Sequence, residues 1–142
     1  MQVLKEKLQA YISVNNPDLL IRLQADYSMS RYLEDKISKA MPLILDLLAQ
    51  DKPGHVIEEL VMNELTADLR PSRYLYVLRL LEERFAEEHG KLKTLGVLQY
   101  VTLQLLDQCQ PVFDEHHFSI RNQHDAYLEA KVRARIRAYL KG

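Results

Sequence analysis

Cysteine is almost missing from this sequence. Cys109 stands alone among 142 residues, so no intramolecular disulfide can form and no C-x-x-C pair exists to hold a metal or run a redox couple. Its place on an apolar stripe with Leu98, Thr102 and Leu105 predicts a buried, inert thiol. Glycine is scarce, at four residues, and the sequence contains no Gly-rich phosphate loop and no G-x-S-x-G elbow. Neither sign of charge is in excess. With 19 Lys and Arg against 20 Asp and Glu, the net charge of -1 argues against general binding to nucleic acid or a membrane surface. No apolar run approaches the length of a membrane span, and the opening MQVLKEKLQAY lacks the apolar core of a signal peptide. The expectation is a cytoplasmic chain with no membrane partner.

What the sequence does carry is helical periodicity. Between Pro53 and Phe85, Ile57, Val61, Leu65 and Leu69 recur every four residues with Glu58, Glu64 and Asp68 between them, the pattern of an amphipathic helix. Pro53-Gly54 opens it, with the Asp51 carboxylate offered to its first turn. Pro71 closes it, because a residue preceding proline, here Arg70, is driven out of the helical region. Ser72 then caps a second helix with the stripe Tyr74, Val77, Leu78, Leu81 and Phe85. So short a connection predicts a helical hairpin whose two stripes face each other.

The rest of the chain reads the same way. Leu4, Leu8, Tyr11 and Ile12 mark a first helix, and Asn16-Pro17-Asp18 breaks it and starts a short second one. From Met29 a longer pattern runs through Leu33, Ile37, Ala40 and Ile44, with Pro42 expected to kink or split it. LILDLLAQ after that proline is apolar nearly all round, which predicts a central position. Gly90 is expected to end the helix that follows Ser72. Residues 92–109 read as another core helix in preference to a strand, ended by Gln110-Pro111, with Val112 to Ser119 as a connection and a last helix over about 122–141. No repeat and no low-complexity segment is visible. The predicted fold is all-α, a single domain over 1–142 with five to seven helices around the central hairpin of residues 53–85, long enough to bury roughly two-thirds of its unfolded surface.

Residues of a type able to carry chemistry are few. Asp114, Glu115, His116 and His117, with His124 and Asp125, form the one dense group of potential ligands, but Asp114-x-x-His117 is a single carboxylate-histidine pair where a di-iron bundle needs two. A solvated loop and helix cap is the preferred reading, with no metal and no cofactor. Glu82, Glu83, Glu87 and Glu88 read as a solvated face, because a catalytic carboxylate needs burial or a partner to tune it. The expectation is no enzyme and no small-molecule substrate. Two surfaces remain as binding candidates. One is the last helix, where Lys131, Arg133, Arg135, Arg137 and Lys141 flank the apolar stripe; the other is the turn carrying Arg70, Arg73, Tyr74 and Tyr76. Either a protein partner (or self-association) or a nucleic acid would suit these cations, and the protein is favoured: the acids at 82–88 are ill placed on a groove-reading helix.

The segments IEELVMNEL and ADLRPSRYLYVLRLLEERF, with Tyr11-Ile12, Asn16-Pro17-Asp18-Leu19 and the closing Tyr127 to Leu140, resemble a bacterial domain family of unknown function. Its members are short all-helical proteins often encoded on conjugative elements of anaerobic gut and oral bacteria. Arg70-Pro71 departs from that family, which more often has histidine and an aromatic residue before the serine. The resemblance implies an all-helical fold and an accessory role in a mobile element, and it brings no catalytic residues. The function expected is that of a small non-enzymatic protein-interaction module, with a nucleic-acid-binding accessory protein as the alternative.

Overall fold

Apolar residues spaced three and four apart become helix throughout. The structure, a computed structural model describing residues 2–142, is all-α, with no strand among the described residues. Among the described residues eight α-helices follow one another: α1 (Gln2–Asn15), α2 (Pro17–Ala25), α3 (Met29–Ala49), α4 (Gly54–Leu65), α5 (Arg73–Arg84), α6 (Ala86–Thr94), α7 (Leu98–Glu115) and α8 (Ala126–Lys141), with a 3-10 turn at Ala67–Leu69. The chain divides into two compact units, Met1–Arg70 and Pro71–Gly142.

In the first unit α3 packs on α4, α1 and α2, and α1 also packs on α4. Its core holds Leu4, Leu8 and Ile12 from α1, Leu33, Ile37, Ala40, Ile44 and Leu47 from α3, and Val61 and Leu65 from α4. In the second unit α7 packs on α8, α5 and α6. There the core is built from Tyr74, Val77, Leu80 and Leu81 of α5, Leu105, Leu106, Cys109, Val112 and Phe113 of α7, and Leu128, Val132 and Ile136 of α8. The two arms of the stretch 53–85 fall in different units. Each stripe is absorbed by the core of its own unit, and the extended Arg70 (φ -114°, ψ 138°) before Pro71 marks the change from one to the other.

Both interior prolines lie within continuous helix. Pro42 sits inside α3 and Pro111 inside α7, so α3 is not split and α7 does not end at Gln110. Both prolines are exposed, as are Ser38 and Asp107, whose carbonyls lose their partners. A helix carries that loss on its wet side, where water takes the orphaned carbonyl. Val112 and Phe113, expected in a connection, are consequently buried helical residues. LILDLLAQ is central on one side alone: Ile44 and Leu47 are buried, whereas Leu45 and Leu48 are exposed. Gly90 lies within α6, and the break falls earlier at Phe85, whose φ of -134° and ψ of 48° serve as C-cap of α5 and N-cap of α6 while its ring packs against the second core.

The two units share one plan. The interval from Asn16 to Phe85, the residues between first and second helix, is also that from Tyr27 to Gly96, from Met29 to Leu98 and from Pro42 to Pro111. The turn after the short helix repeats bond for bond. Asp26 N donates to Arg22 O, Tyr27 N to Gln24 O and Ser28 N to Leu23 O; Leu95 N, Gly96 N and Val97 N donate to Lys91 O, Lys93 O and Leu92 O. This is a Schellman-type cap with a left-handed residue at its centre, Tyr27 (φ 57°) in one unit and Gly96 (φ 75°) in the other. Core positions at the same interval correspond as well: Leu8 with Val77, Ile37 with Leu106 and Ile44 with Phe113. The repeat escapes notice in the sequence because these pairs keep apolar character, not identity.

Candidate interaction surfaces

The last helix begins at Ala126, later than the expected 122, because the Asp125 carboxylate caps it there, accepting from Tyr127 N at 3.0 Å; Leu128, Val132 and Ile136 turn inward. Its cations divide by what they touch. Lys131 pairs with Glu115 at 3.1 Å and lies 4.9 Å from the centroid of the Tyr127 ring. Their hydrogen bond holds the Glu115 carboxyl below its usual range and raises the Lys131 ammonium. Arg135 donates to Gln108 O at 3.2 Å. Arg133 is half-buried, with its Nε enclosed and without a hydrogen-bond partner. Arg137 and Lys141 are exposed and enter no ion pair among the described residues, although they stand on the same helix.

At the turn, the candidate side chains are engaged each within its own unit. Arg70 folds its guanidinium back onto the end of α4, donating to Asn63 O at 3.0 Å and to Thr66 O at 3.3 Å. Arg73 reaches from the start of α5 to α7, where it bonds Gln110, pairs with Asp114 at 2.8 Å and lies 5.5 Å from the centre of the Phe113 ring. Tyr74 is in the core at 6% exposure. Tyr76 meets Phe113 edge-on at 5.4 Å and Phe118 at 5.4 Å. Burial first, then Glu129 and Asp125, pushes its hydroxyl up to about 12. Ser72 performs the role its type predicts, accepting from Leu75 N at 3.1 Å. The turn thus serves to fasten α5.

The histidines and acids near residue 116 do not converge. No three His, Cys, Asp or Glu among the described residues are placed to hold a metal ion. His116 meets Tyr127 edge-on at 5.4 Å with its Nε2 buried and unbonded, His117 is exposed in the left-handed region (φ 49°), and His124 lines a small polar hollow with Tyr76, Arg79 and Glu129. Glu82, Glu83, Glu87 and Glu88 are exposed. Cys109 is fully buried, and burial pushes its thiol up to about 11, so thiolate chemistry near neutral pH is suppressed.

The second unit holds a groove that spacing alone does not reveal. Its volume is about 680 Å³, between α6 and the end of α8. Phe85, Leu92, Leu95 and Leu140 give it an apolar lining, and Lys91, Arg137 and Lys141 with one acid, Glu88, supply its charged side chains. Leu95 is 73% exposed. The available signal was the run Leu92, Leu95, Val97, Leu98, which reads as the start of a core helix; α7 in fact begins at Leu98, leaving Leu95 at the end of α6.

No helix among the described residues is long and apolar enough to cross a membrane. The chain has no significant match among protein-family models, curated proteins or solved structures.

Proposed function

We propose that this protein is a small non-enzymatic, cytoplasmic interaction module whose partner is another protein. The observation that supports it is the distribution of cations on α8. Lys131 is paired with Glu115, Arg135 is tied to the Gln108 carbonyl, and Arg133 is drawn against the unit, so the helix offers no continuous row of uncommitted cations. Backbone-directed nucleic-acid binding rests on many such free cations. The free pair, Arg137 and Lys141, borders apolar surface instead, the mixture from which protein interfaces are made. An accessory role in a mobile element is the biological setting that the resemblance of the hairpin and closing helix favours.

The test is binding of the purified protein to a mixed pool of DNA and RNA at low and moderate salt, with Arg133→Glu/Arg137→Glu alongside. The protein-partner reading expects no salt-sensitive binding. Steeply salt-dependent binding that the double variant abolishes would overturn it in favour of nucleic acid.

A further inference from the structure

The two units provide an internal control. Because their backbones share one plan, a residue in one unit shows what the fold alone requires at the matching position in the other. Asp26, which matches Leu95, is exposed, and its carboxylate accepts from Ser28 N at 3.2 Å. The same three backbone bonds form around both residues, so this turn does not need an apolar side chain there. Asn16, which matches Phe85, is likewise polar and reaches Leu69 O at 3.5 Å. Burial separates the units in the same sense. Leu23 of α2 is buried at 8%, while α6 has no buried residue at all. At these two positions the second unit carries an apolar side chain where the first is polar, and both side chains line the open groove.

From this we infer that the groove between α6 and α8 is a docking site for an amphipathic helix of a partner protein with acidic residues flanking its apolar face. The inference deepens the reading of the protein as an interaction module and rests on it. Charge selects the occupant. Three cations against one acid line the groove, and Arg137 and Lys141 have no ion pair of their own among the described residues, whereas Lys91 is shared with Glu87 at 3.3 Å. A leucine stripe would cover Phe85, Leu92, Leu95 and Leu140, and glutamates on its flanks would meet the two free cations. A basic helix would add like charge at both. A second copy of this chain would bring its own cationic α8, so self-association through this face is disfavoured.

A display library of helical peptides of about 16 residues tests this, with leucine fixed at i, i+3, i+4 and i+7 and flanking positions varied over Glu, Gln and Lys. It is panned on the full chain, and recovered peptides are titrated against Leu95→Asp and Arg137→Glu. Glutamate-flanked sequences are expected, with affinity falling about tenfold or more in each variant, because a buried leucine or a desolvated charge contact is removed. Circular dichroism and thermal unfolding of both variants should match the parent. No recovery, neutral or lysine-rich flanks, binding indifferent to both variants, or unfolding of Leu95→Asp would each overturn the groove. If Leu45→Asp abolished binding instead, the groove would fall while the interaction reading stood; nucleic-acid binding in the salt experiment would remove that reading itself.

Discussion

Phe113→Ala should be among the most damaging single substitutions in the second unit. The ring is fully buried on α7, edge-on to Tyr76 at 5.4 Å, tilted against Phe118 at 4.9 Å and 5.5 Å from the Arg73 guanidinium carbon. Truncating a core phenylalanine costs about 3 to 5 kcal/mol through lost transfer energy and the cavity left behind. Edge-on aromatic contacts contribute about 0.5 to 1.5 kcal/mol beyond their area, and two rings lose their partner, so the upper half of that range, about 4 to 5 kcal/mol, is expected here. Against a typical total of about 5 to 15 kcal/mol the variant should be visibly destabilised. Urea unfolding followed by far-UV circular dichroism measures it, with the slope of the transition checked against the parent so that midpoints can be compared. Phe113→Leu should recover most of the loss, and Phe118→Ala, at a half-buried position, should cost about 2 kcal/mol. A loss below about 1.5 kcal/mol for Phe113→Ala would refute the placement of this ring at the centre of the unit.

Three further outcomes follow from named contacts. Tyr76 has its hydroxyl pushed up to about 12 from 10.0, mainly by burial, so the folded state keeps a proton that the unfolded chain releases. Its contribution is complete below about pH 10 and is lost as pH rises toward 12; stability-pH profiles should show that decline, less steeply in Tyr76→Phe. Arg73→Ala should cost about 1 to 2 kcal/mol by urea unfolding, from a partly exposed ion pair and a contact over Phe113, whereas Arg137→Ala should stay within about 0.5 kcal/mol. Tyr27→Gly should raise the thermal midpoint, since an exposed tyrosine held at φ 57° loses roughly 1 to 2 kcal/mol that glycine does not, less about 0.5 to 1 kcal/mol of chain entropy; a lower midpoint would contradict this.

Much of the fold could be read from local chemistry. Asn16-Pro17, Pro53-Gly54 and Ser72 mark helix starts because their preferences concern one residue and its immediate neighbours, and the structure starts helices at each. The proline at 111 misled for a tertiary reason. Whether proline ends a helix depends on whether the orphaned carbonyl can reach water, and that depends on which side faces the core. Leu45 and Leu48 misled likewise, since an apolar run does not say which of its faces a neighbour will cover. At the surface, the cations on α8 and at the turn were visible from the sequence, but their partners were not. Arg73 finds Gln110 and Asp114, and Lys131 finds Glu115, on a helix distant in sequence. The groove was hidden because Leu92 and Leu95 looked like core until the turn at Gly96 separated α6 from α7.

Thermal unfolding and peptide binding of Leu95→Asp, measured on one preparation, test the central claim most directly. If the exposed leucine serves a partner and not the fold, the substitution that writes the first unit's residue into the second should leave stability within about 0.5 kcal/mol, a shift of about 2 °C, while binding of the acidic helix falls about tenfold or more. A loss of about 2 kcal/mol or more, or binding that survives the change, would contradict it.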